Sequence, residues 1–470
     1  MPSRFCLFLI AVGMVATGCA SPTHCDEDGH EAYMDPRTGE ALDLEGLLPR
    51  EQRSRRFQVP GEEGVDPSRA NPCLAQSPRI VPPPLPTGRD VEDGTAFADL
   101  RYRMEMVDQD GFDERAQAST LRLRLGGTTP RAQGFDAGVA FQTNQRIGDR
   151  RYDDTTGQTS DFPVVRDPAD TAVSEGWVRY MSREGFVETR LGRQALSLDN
   201  ERFLGTDSFR QLEQTFNAAT LRLGSGEPGQ FDVKYITQVN RVLGANHPDR
   251  LMAKADSEAA MVEYNHAIGD RTLGLYVHNM RFNDANESHR NYGIRLHGRV
   301  PWTERFDFRL EFAQQEELNN EGPEEELGYQ NFRLGQTLEG WQWYLGRERL
   351  AGNRQDSFQT PLASLHDHNG WSDRFLVTPA FGLVDRHAGV VFQRGVWDFE
   401  TRYHEFQVDA GSGRYGQELG VRAGREIFGE ARLDLKLSRY QGNEPVFYVG
   451  DDYADDSTRI WLGLTARFDP

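Results

Sequence analysis

The sequence predicts an all-β fold: a single transmembrane antiparallel β-barrel of about 18 strands, preceded by an irregular periplasmic arm. Three observations support this prediction. Apolar and charged residues alternate along many segments, short turns alternate with long polar loops, and mean hydropathy is only −0.67 over 470 residues. Every second residue of a barrel strand faces the lumen, so low hydropathy is compatible with a barrel, whereas membrane helices need apolar runs of about 20 residues.

The charge of the chain argues against one class of partner. It has 53 Lys and Arg against 73 Asp and Glu, a formal net charge of −20, and we expect no nucleic-acid partner because such proteins cluster positive charge. Only Lys234, Lys254 and Lys436 are lysines. Arginine forms forked hydrogen bonds with carboxylate or phosphate, but a codon bias toward arginine would also produce this excess over lysine. The positions of the arginines, and not their number, therefore have to show whether they bind anions.

Residues 1–19 have the pattern of an export signal, with Arg4 before an apolar segment at 5–16. The following Ala16-Thr17-Gly18-Cys19 resembles the lipobox of bacterial lipoproteins. This resemblance implies acylation of Cys19 and an anchor at the periplasmic side of the outer membrane. Ordinary cleavage after Ala20 is the alternative.

We predict that residues 20–94 form a proline-rich periplasmic arm or linker, because this polar segment cannot bury enough apolar surface to fold by itself. With Cys6 removed and Cys19 acylated, Cys25 and Cys73 remain in an oxidising compartment. We therefore expect a disulfide between them. A metal site that these cysteines form with His24 and His30 is less well supported, since the spacing matches no zinc pattern.

We predict that residues 95–470 form the barrel itself. Charged residues that we assign to the lumen alternate with apolar residues that we assign to the lipid face. The predicted lipid-facing residues include Leu100, Tyr102, Met104, Met106, Leu121, Leu123, Leu125, Phe308, Leu310, Phe312, Phe399, Tyr403, Ile460, Leu462, Leu464 and Phe468. A soluble β-sandwich would also alternate, in shorter strands.

Connections alternate in length along this region. Short turns lie near Gly185, Gly269, Trp302, Gly340 and Gly395, and the long polar loops include 143–173, 195–214, 242–256 and 351–384. Outer-membrane barrels place the short turns on the periplasmic side, and an even strand number returns both termini there. The predicted location is therefore the outer membrane of a Gram-negative bacterium.

Several segments resemble the alginate export family of outer-membrane, porin-like barrels. They are Leu191-Gly192-Arg193-Gln194, residues 198–205 and 213–218, the opening 100–112 and Val239-Asn240-Arg241. The resemblance covers about residues 95–468 and is specific in its middle third. It implies an arginine-lined constriction for a polyuronate or a smaller anion, in a monomeric barrel.

Guanidinium groups in the lumen would supply both charge and hydrogen bonds to an anion that leaves water. The predicted pore-lining or anion-binding residues are Arg101, Arg103, Arg122, Arg124, Arg179, Arg190, Arg193, Arg202, Arg210, Arg402 and Arg467. Among them Arg190, Arg193, Arg202 and Arg210 are the predicted constriction. The alternative is that lumen arginines pair with Glu105, Glu175, Glu188, Asp307 and Glu400 and brace the wall.

Metal and catalytic sites are weakly indicated. Asp451-Asp452 with Asp455-Asp456 is a candidate calcium loop that matches no EF-hand, and His366-Asp367-His368 lacks an apparent third ligand. Sequence spacing does not reveal which carboxylates of a barrel lie close together. We therefore predict no cofactor beyond this calcium candidate and no enzymatic activity.

The predicted function is a porin-like channel for the diffusion of anionic solutes, acidic (uronate) sugars among them. Its partners would be outer-membrane lipid and anionic small molecules or a polyuronate. One alternative is an alginate-type exopolysaccharide exporter whose arm docks a periplasmic scaffold partner. The other is a surface polysaccharide-binding or degrading protein with a soluble β-fold.

Overall fold

The computed structural model describes residues 94–468, apart from 158–160, 225–228, 284–287, 304, 319–325, 339, 428–430 and 444–452. The predicted export signal, nearly all of the arm, and Cys19, Cys25 and Cys73 lie outside the described residues. No helix in the described part of the chain is long and apolar enough to cross a membrane.

The described residues form eighteen strands, which confirms the predicted fold class and strand number. The strands are β1 Thr95–Gln109, β2 Ala116–Thr128, β3 Phe135–Arg146, β4 Asp170–Met181, β5 Val187–Gln194, β6 Thr215–Leu223, β7 Gly229–Asn240, β8 Lys254–Ile268, β9 Arg271–Met280, β10 His289–Arg299, β11 Asp307–Glu317, β12 Leu327–Leu338, β13 Trp341–Leu350, β14 Leu383–Arg394, β15 Trp397–Val408, β16 Arg414–Ile427, β17 Ala431–Gly442 and β18 Ser457–Phe468. One short helix, α1 Arg250–Ala253, precedes β8.

The strands close into one antiparallel barrel. Each strand pairs with its neighbours in the sequence, and β18 pairs with β1 along the register Ala98↔Phe468 to Gln109↔Ser457. Closure gives every strand a partner on both sides, so the sheet has no exposed edge. The alternative of a soluble β-sandwich is wrong, because the described strands form one closed sheet and not two packed sheets.

The predicted alternation is confirmed in the wall. Leu125 on β2 is 46% exposed on the outer face, whereas its neighbour Arg124 is 1% exposed in the lumen. The same phase holds on β11, where Leu310 and Phe312 face outward and Glu311 is buried. Successive side chains of a strand point to opposite faces, so a closed wall separates an apolar exterior from a charged interior.

Connection lengths also follow the prediction. Even-numbered strands end in short turns, such as 182–186 after β4 and 395–396 after β14. Odd-numbered strands are followed by the longest connections, which span 147–169, 195–214 and 351–382. The two rims of the barrel therefore differ, and we call them the short-turn rim and the long-loop rim.

Exposed aromatic residues gather at the short-turn rim. Phe135, Phe186, Trp302, Trp341 and Phe468 are each more than half exposed there. Some stack across strands, as Trp341 does on Phe392 with ring centroids 4.5 Å apart. Aromatic belts of this kind lie at the boundary between hydrocarbon and headgroups.

Candidate functional site

Two long connections fold into the lumen and contact each other there. They are residues 195–214 and 351–382, which together we call the plug. The amide of Gly205 donates to the Leu362 carbonyl at 2.8 Å, and the amide of Asp207 donates to the Ser364 hydroxyl at 2.8 Å. The two connections therefore act as one body inside the barrel.

Apolar side chains hold the plug against the wall. Leu198, Leu204 and Leu362 are buried in a cluster with wall residues that include Phe216 and Met261. A second cluster joins Phe203, Phe358 and Phe375 to the wall. Burying each leucine or phenylalanine side chain stabilises the packed state by roughly 1.5–3 kcal/mol, which favours an inward position for both connections.

The wall arginines of β1 fix the plug from one side. Arg101 donates from Nε to Gln211 Oε1 at 2.7 Å and from Nη1 to the Ser208 carbonyl at 2.9 Å. Arg103 pairs with Glu105 at 3.1 Å and with Asp167, in the β3–β4 connection, at 2.5 Å. The guanidinium groups of both arginines therefore already bind groups of the protein itself.

Arg122 and Arg124 of β2 are engaged in the same way. Arg122 pairs with Asp99 and, at 3.0 Å, with Glu213 of the plug. Arg124 pairs with Glu175 of β4 and lies 3.8 Å from Glu213. Buried charges require such partners.

Arg202 and Arg210 tie the two halves of the plug together. Arg202 donates to Asn369 Oδ1 at 2.9 Å and pairs with Glu348 of β13 at 3.1 Å. Arg210 pairs with Asp373 at 2.7 Å. The structure therefore brings both residues into the lumen, where their guanidinium groups already bind carboxylates.

The remaining lumen-facing arginines of the predicted set are distributed around the wall. Arg179 forms a forked pair with Asp136 at 2.8 and 2.6 Å, and Arg190 lies 3.5 Å from Glu188. Arg402 pairs with Glu400 and lies over the Trp371 ring at 4.7 Å. Arg467 lies over the Phe97 ring at 5.7 Å. The bracing alternative therefore describes most of these residues.

Arg193 is the exception, and its predicted place in the constriction is wrong. It follows Gly192 on β5 in phase with Leu191, which is 67% exposed on the outer face. Its guanidinium donates to Asn217 Oδ1 at 3.0 Å and to the Val173 carbonyl at 2.9 Å. The side chain lies outside because β5 continues through residue 194, and its alternation places residue 193 on the outer face.

Backbone strain is concentrated in the plug. Asp199, Glu201, Asp207, Asn369 and Asp373 all have positive φ, between 46° and 60°. This region is unfavourable for residues other than glycine, although Asp and Asn tolerate it best. Salt bridges compensate, since Asp199 binds Arg309 and Asp373 binds Arg210.

The buried acidic groups of the plug have opposite electrostatic environments. Burial raises the pKa of the Asp207 carboxyl to about 7, since Arg210 compensates only in part. Burial would also raise the pKa of Asp373, but the charges of Arg210 and His366 hold it well below its ordinary value. Asp207 is thus the plug carboxylate whose charge changes near neutral pH.

The candidate motif His366-Asp367-His368 forms no cluster of three metal ligands within the described residues. His366 is fully buried, with Nδ1 2.7 Å from Asp373 and Nε2 2.6 Å from the amine of Lys436. Both ring nitrogens are therefore occupied. In the calcium candidate, Asp451 and Asp452 lie outside the described residues, and Asp456 accepts a bond from Arg439 at 2.6 Å.

A cavity of about 90 Å³ remains between the plug and the wall formed by β11–β15. Basic and acidic side chains both line it: Arg309, Arg333, His387, Arg402 and His404, together with Glu348, Asp367 and Asp385. The Arg333 guanidinium lies over the Tyr344 ring at 3.9 Å, and Arg333 forms no salt bridge with any described residue. This guanidinium therefore lines the cavity without a carboxylate bound to it among the described residues.

Sequence reasoning did not single out Arg333, although the signal was present. Arg333 lies between Phe332 and Leu334, the same alternation that identified the other lumen arginines. Which arginines have carboxylate partners depends on strand register and loop packing, and alternation alone carries no information about either.

Solved structures from Pseudomonas aeruginosa and Acinetobacter baumannii have the same fold. The outer membrane protein OpdK from Pseudomonas aeruginosa matches with TM-score 0.60 and 12% identity, over 81% of this chain and 100% of that chain. OccAB4 from Acinetobacter baumannii matches with TM-score 0.61 and 10% identity, over 81% and 99%. P. aeruginosa OpdO matches with TM-score 0.59 and 14% identity, over 81% and 98%.

No family model and no curated protein matched the sequence. At these sequence identities the solved structures demonstrate a shared fold, so the chain has the closed eighteen-stranded architecture of porin-like barrels.

Proposed function

We propose that this protein is a channel of the Gram-negative outer membrane through which small anionic solutes diffuse, without catalysis. The observation that carries the proposal is Arg333, a lumen guanidinium beside a cavity and without a salt-bridge partner among the described residues. An anion that leaves water there gains charge compensation and hydrogen bonds together. The apolar outer face and the aromatic belt support placement in a membrane.

The plug supports a small solute over a polymer. It fills the lumen with buried side chains and is bound to the wall through Arg101, Arg103 and Arg122. A polysaccharide chain would require both connections to leave the lumen, which breaks these contacts. We therefore favour diffusion of small anions over the alginate-type exporter.

Acidic sugars are the solute class that we propose. The segments that resemble the alginate export family, 198–205 and 213–218, contribute Arg202 and Glu213 to the plug and its contacts. A uronate carries one carboxylate and several hydroxyl groups. The arginine, histidine, tyrosine and asparagine side chains of the cavity can donate to its oxygen atoms, and the carboxylates of Glu348, Asp367 and Asp385 can accept from its hydroxyl groups.

A single chain closes its own barrel and encloses its own lumen. We therefore propose that the monomer is the functional unit. The periplasmic arm, the acylation of Cys19, the Cys25–Cys73 disulfide and a periplasmic scaffold partner remain proposals from the sequence.

The reversal potential of the purified protein in a planar bilayer under a salt gradient tests the channel. We expect anion selectivity in the wild type and a fall in the anion-to-cation permeability ratio of about two-fold or more in Arg333→Gln. Arg193→Gln is the matched control, because it removes the same charge from the outer face. Current that is cation-selective, or equal effects of the two substitutions, would contradict the proposal.

Uronate monomers and short oligomers, added to the same bilayer, test the solute class. They should reduce chloride current in the wild type at concentrations at which neutral sugars of equal size have no effect. If neutral and acidic sugars block the current equally, the proposal that uronates are the solute is contradicted, while the proposal of a channel stands.

A further inference from the structure

A second group of side chains in the cavity has the chemistry of a metal site. Asp385, His387 and His404 each offer one ligand atom, and these atoms all lie within 4.8 Å of one another. We propose that these three residues bind a divalent transition-metal ion such as Zn²⁺ in the lumen of the barrel. The proposal concerns binding and does not depend on the solute that the channel carries.

Strand geometry brings the three residues together. Asp385 and His387 are two positions apart on β14 and so face the same side of the sheet. His404 on β15 lies directly opposite His387 in the antiparallel register. Their ring centroids are 5.4 Å apart, so both imidazoles lie beside the Asp385 carboxylate.

The distances suit a common ion. Asp385 Oδ1 lies 3.0 Å from His404 Nδ1 and 3.6 Å from His387 Nδ1. Two ligands that each lie about 2.0–2.1 Å from a tetrahedral ion are about 3.4 Å apart. Small side-chain shifts would therefore place an ion at bonding distance from all three atoms.

His387 contributes an independent observation. Its Nδ1 is buried and makes no hydrogen bond with any described residue. Its distance of 3.6 Å from Asp385 Oδ1 exceeds that of a hydrogen bond, and a buried ring nitrogen without a hydrogen bond is costly. A metal ion would satisfy it. The position of the ring depends on Gly346, since a Cβ atom at residue 346 would lie 2.1 Å from His387 Nε2.

Neighbouring groups hold the carboxylate in place. Asn369 of the plug donates to Asp385 Oδ2 at 3.3 Å and to Glu348 Oε2 at 2.7 Å. Contacts of this kind orient metal-binding carboxylates and tune affinity. The three candidate ligands line the cavity, so a fourth coordination position of the ion would face it and take water or a solute carboxylate.

The ligand set selects the class of metal. Two imidazole nitrogens and one carboxylate oxygen suit Zn²⁺, Co²⁺ or Ni²⁺. Calcium prefers six to eight oxygen ligands, which the three residues do not supply. Binding replaces any proton on the two Nδ1 atoms, and these protons pass to water.

The test is titration of the full-length, EDTA-treated protein with Co²⁺, followed by its visible absorption, and competition with Zn²⁺. We expect one ion per chain with a tetrahedral Co²⁺ spectrum in the wild type. His387→Gln and His404→Gln should weaken binding by about 100-fold or more. Gly346→Ala should also weaken it, because the added methyl group displaces the His387 ring.

His278→Gln is the matched control. His278 is a buried lumen histidine 3.2 Å from the carboxylate of Glu263, outside the proposed site, and its removal should leave Co²⁺ binding unchanged. Heat-modifiable gel migration establishes that each variant is folded. Absence of binding in the wild type, or binding in the His387 and His404 variants as tight as in the wild type, would overturn the proposal even if the protein is an anion channel.

Discussion

At the scale of the residue, the function depends on which charges already have partners. Arg124 and Arg210 are both bound by carboxylates, whereas Arg333 has an aromatic ring beside it and no salt bridge with a described residue. Salt-bridged arginines stiffen the lumen, and breaking a buried pair costs about 3–5 kcal/mol. Selectivity should therefore respond more to Arg333 than to the larger set of paired arginines.

At the same scale, Asp207 makes the stability of the plug depend on pH. Its pKa is about 7 in the folded protein against an ordinary 3.8, so the protonated form is favoured inside the plug. Stability from this group is fully present below about pH 4, declines as the pH rises, and is lost above about pH 7. Arg210 and Arg166 oppose the shift, while Asp367 and Asp373 reinforce it.

We expect amide hydrogen exchange in residues 195–214, corrected for intrinsic rates, to be faster at about pH 8 than at about pH 6. Asp207→Asn should abolish the difference, because the amide stays neutral throughout. Asp110→Asn, an exposed aspartate beside β1, is the control and should behave as the wild type. A pH response that persists in Asp207→Asn would assign it to another group.

At the scale of the element, the plug is a feature that alternation did not reveal. The sequence predicted the 195–214 loop and the lumen phase of Arg101, Arg122 and Arg402, because strand periodicity is local information. It placed Arg193 wrongly and did not find the Asp385, His387 and His404 cluster. The cluster requires the register between β14 and β15, and loop packing depends on contacts between distant parts of the chain.

Removal of the larger half of the plug tests its role. Gly352 and Gly382 are adjacent, since a Cβ atom on Gly352 would lie 2.1 Å from the Gly382 nitrogen. Deletion of 353–381 can therefore be closed with a short turn while β13 and β14 keep their register. We expect single-channel conductance to rise several-fold and anion preference to fall.

Correct folding of the deletion variant is established by heat-modifiable migration. A conductance equal to that of the wild type would mean that residues 351–382 do not narrow the path. Leakage of long uronate polymers through this variant alone would support the view that the plug excludes them.

At the scale of the whole molecule, the apolar outer face determines that the barrel is stable in lipid and not in water. Its strands present leucine, valine and phenylalanine outward along their length, with aromatic rings at the short-turn rim. The chain carries a charge of −20, but charged strand residues such as Arg124 and Glu311 are buried in the lumen. Apolar exterior and charged interior thus arise from a single period of two.

A charge on this face should be costly only within the apolar belt. Leu123→Arg, in the middle of β2, should lower the free energy of unfolding, measured in phosphatidylcholine vesicles, by about 2–4 kcal/mol. Phe112→Arg is the control, because Phe112 is 37% exposed and Leu123 36%, yet Phe112 lies in the β1–β2 connection. Urea titration of the folded fraction measures both, and equal losses would argue against a lipid-facing belt.

Side-chain contacts inside the barrel reinforce the pairing of β1 with β18. Arg459 of β18 binds Glu105 of β1 at 3.0 Å and Asp373 of the plug at 3.4 Å, while Arg101 of β1 holds Gln211. The plug therefore braces the joint between the first and the last strand from inside the lumen. Release of the plug would loosen the joint as well as widen the passage.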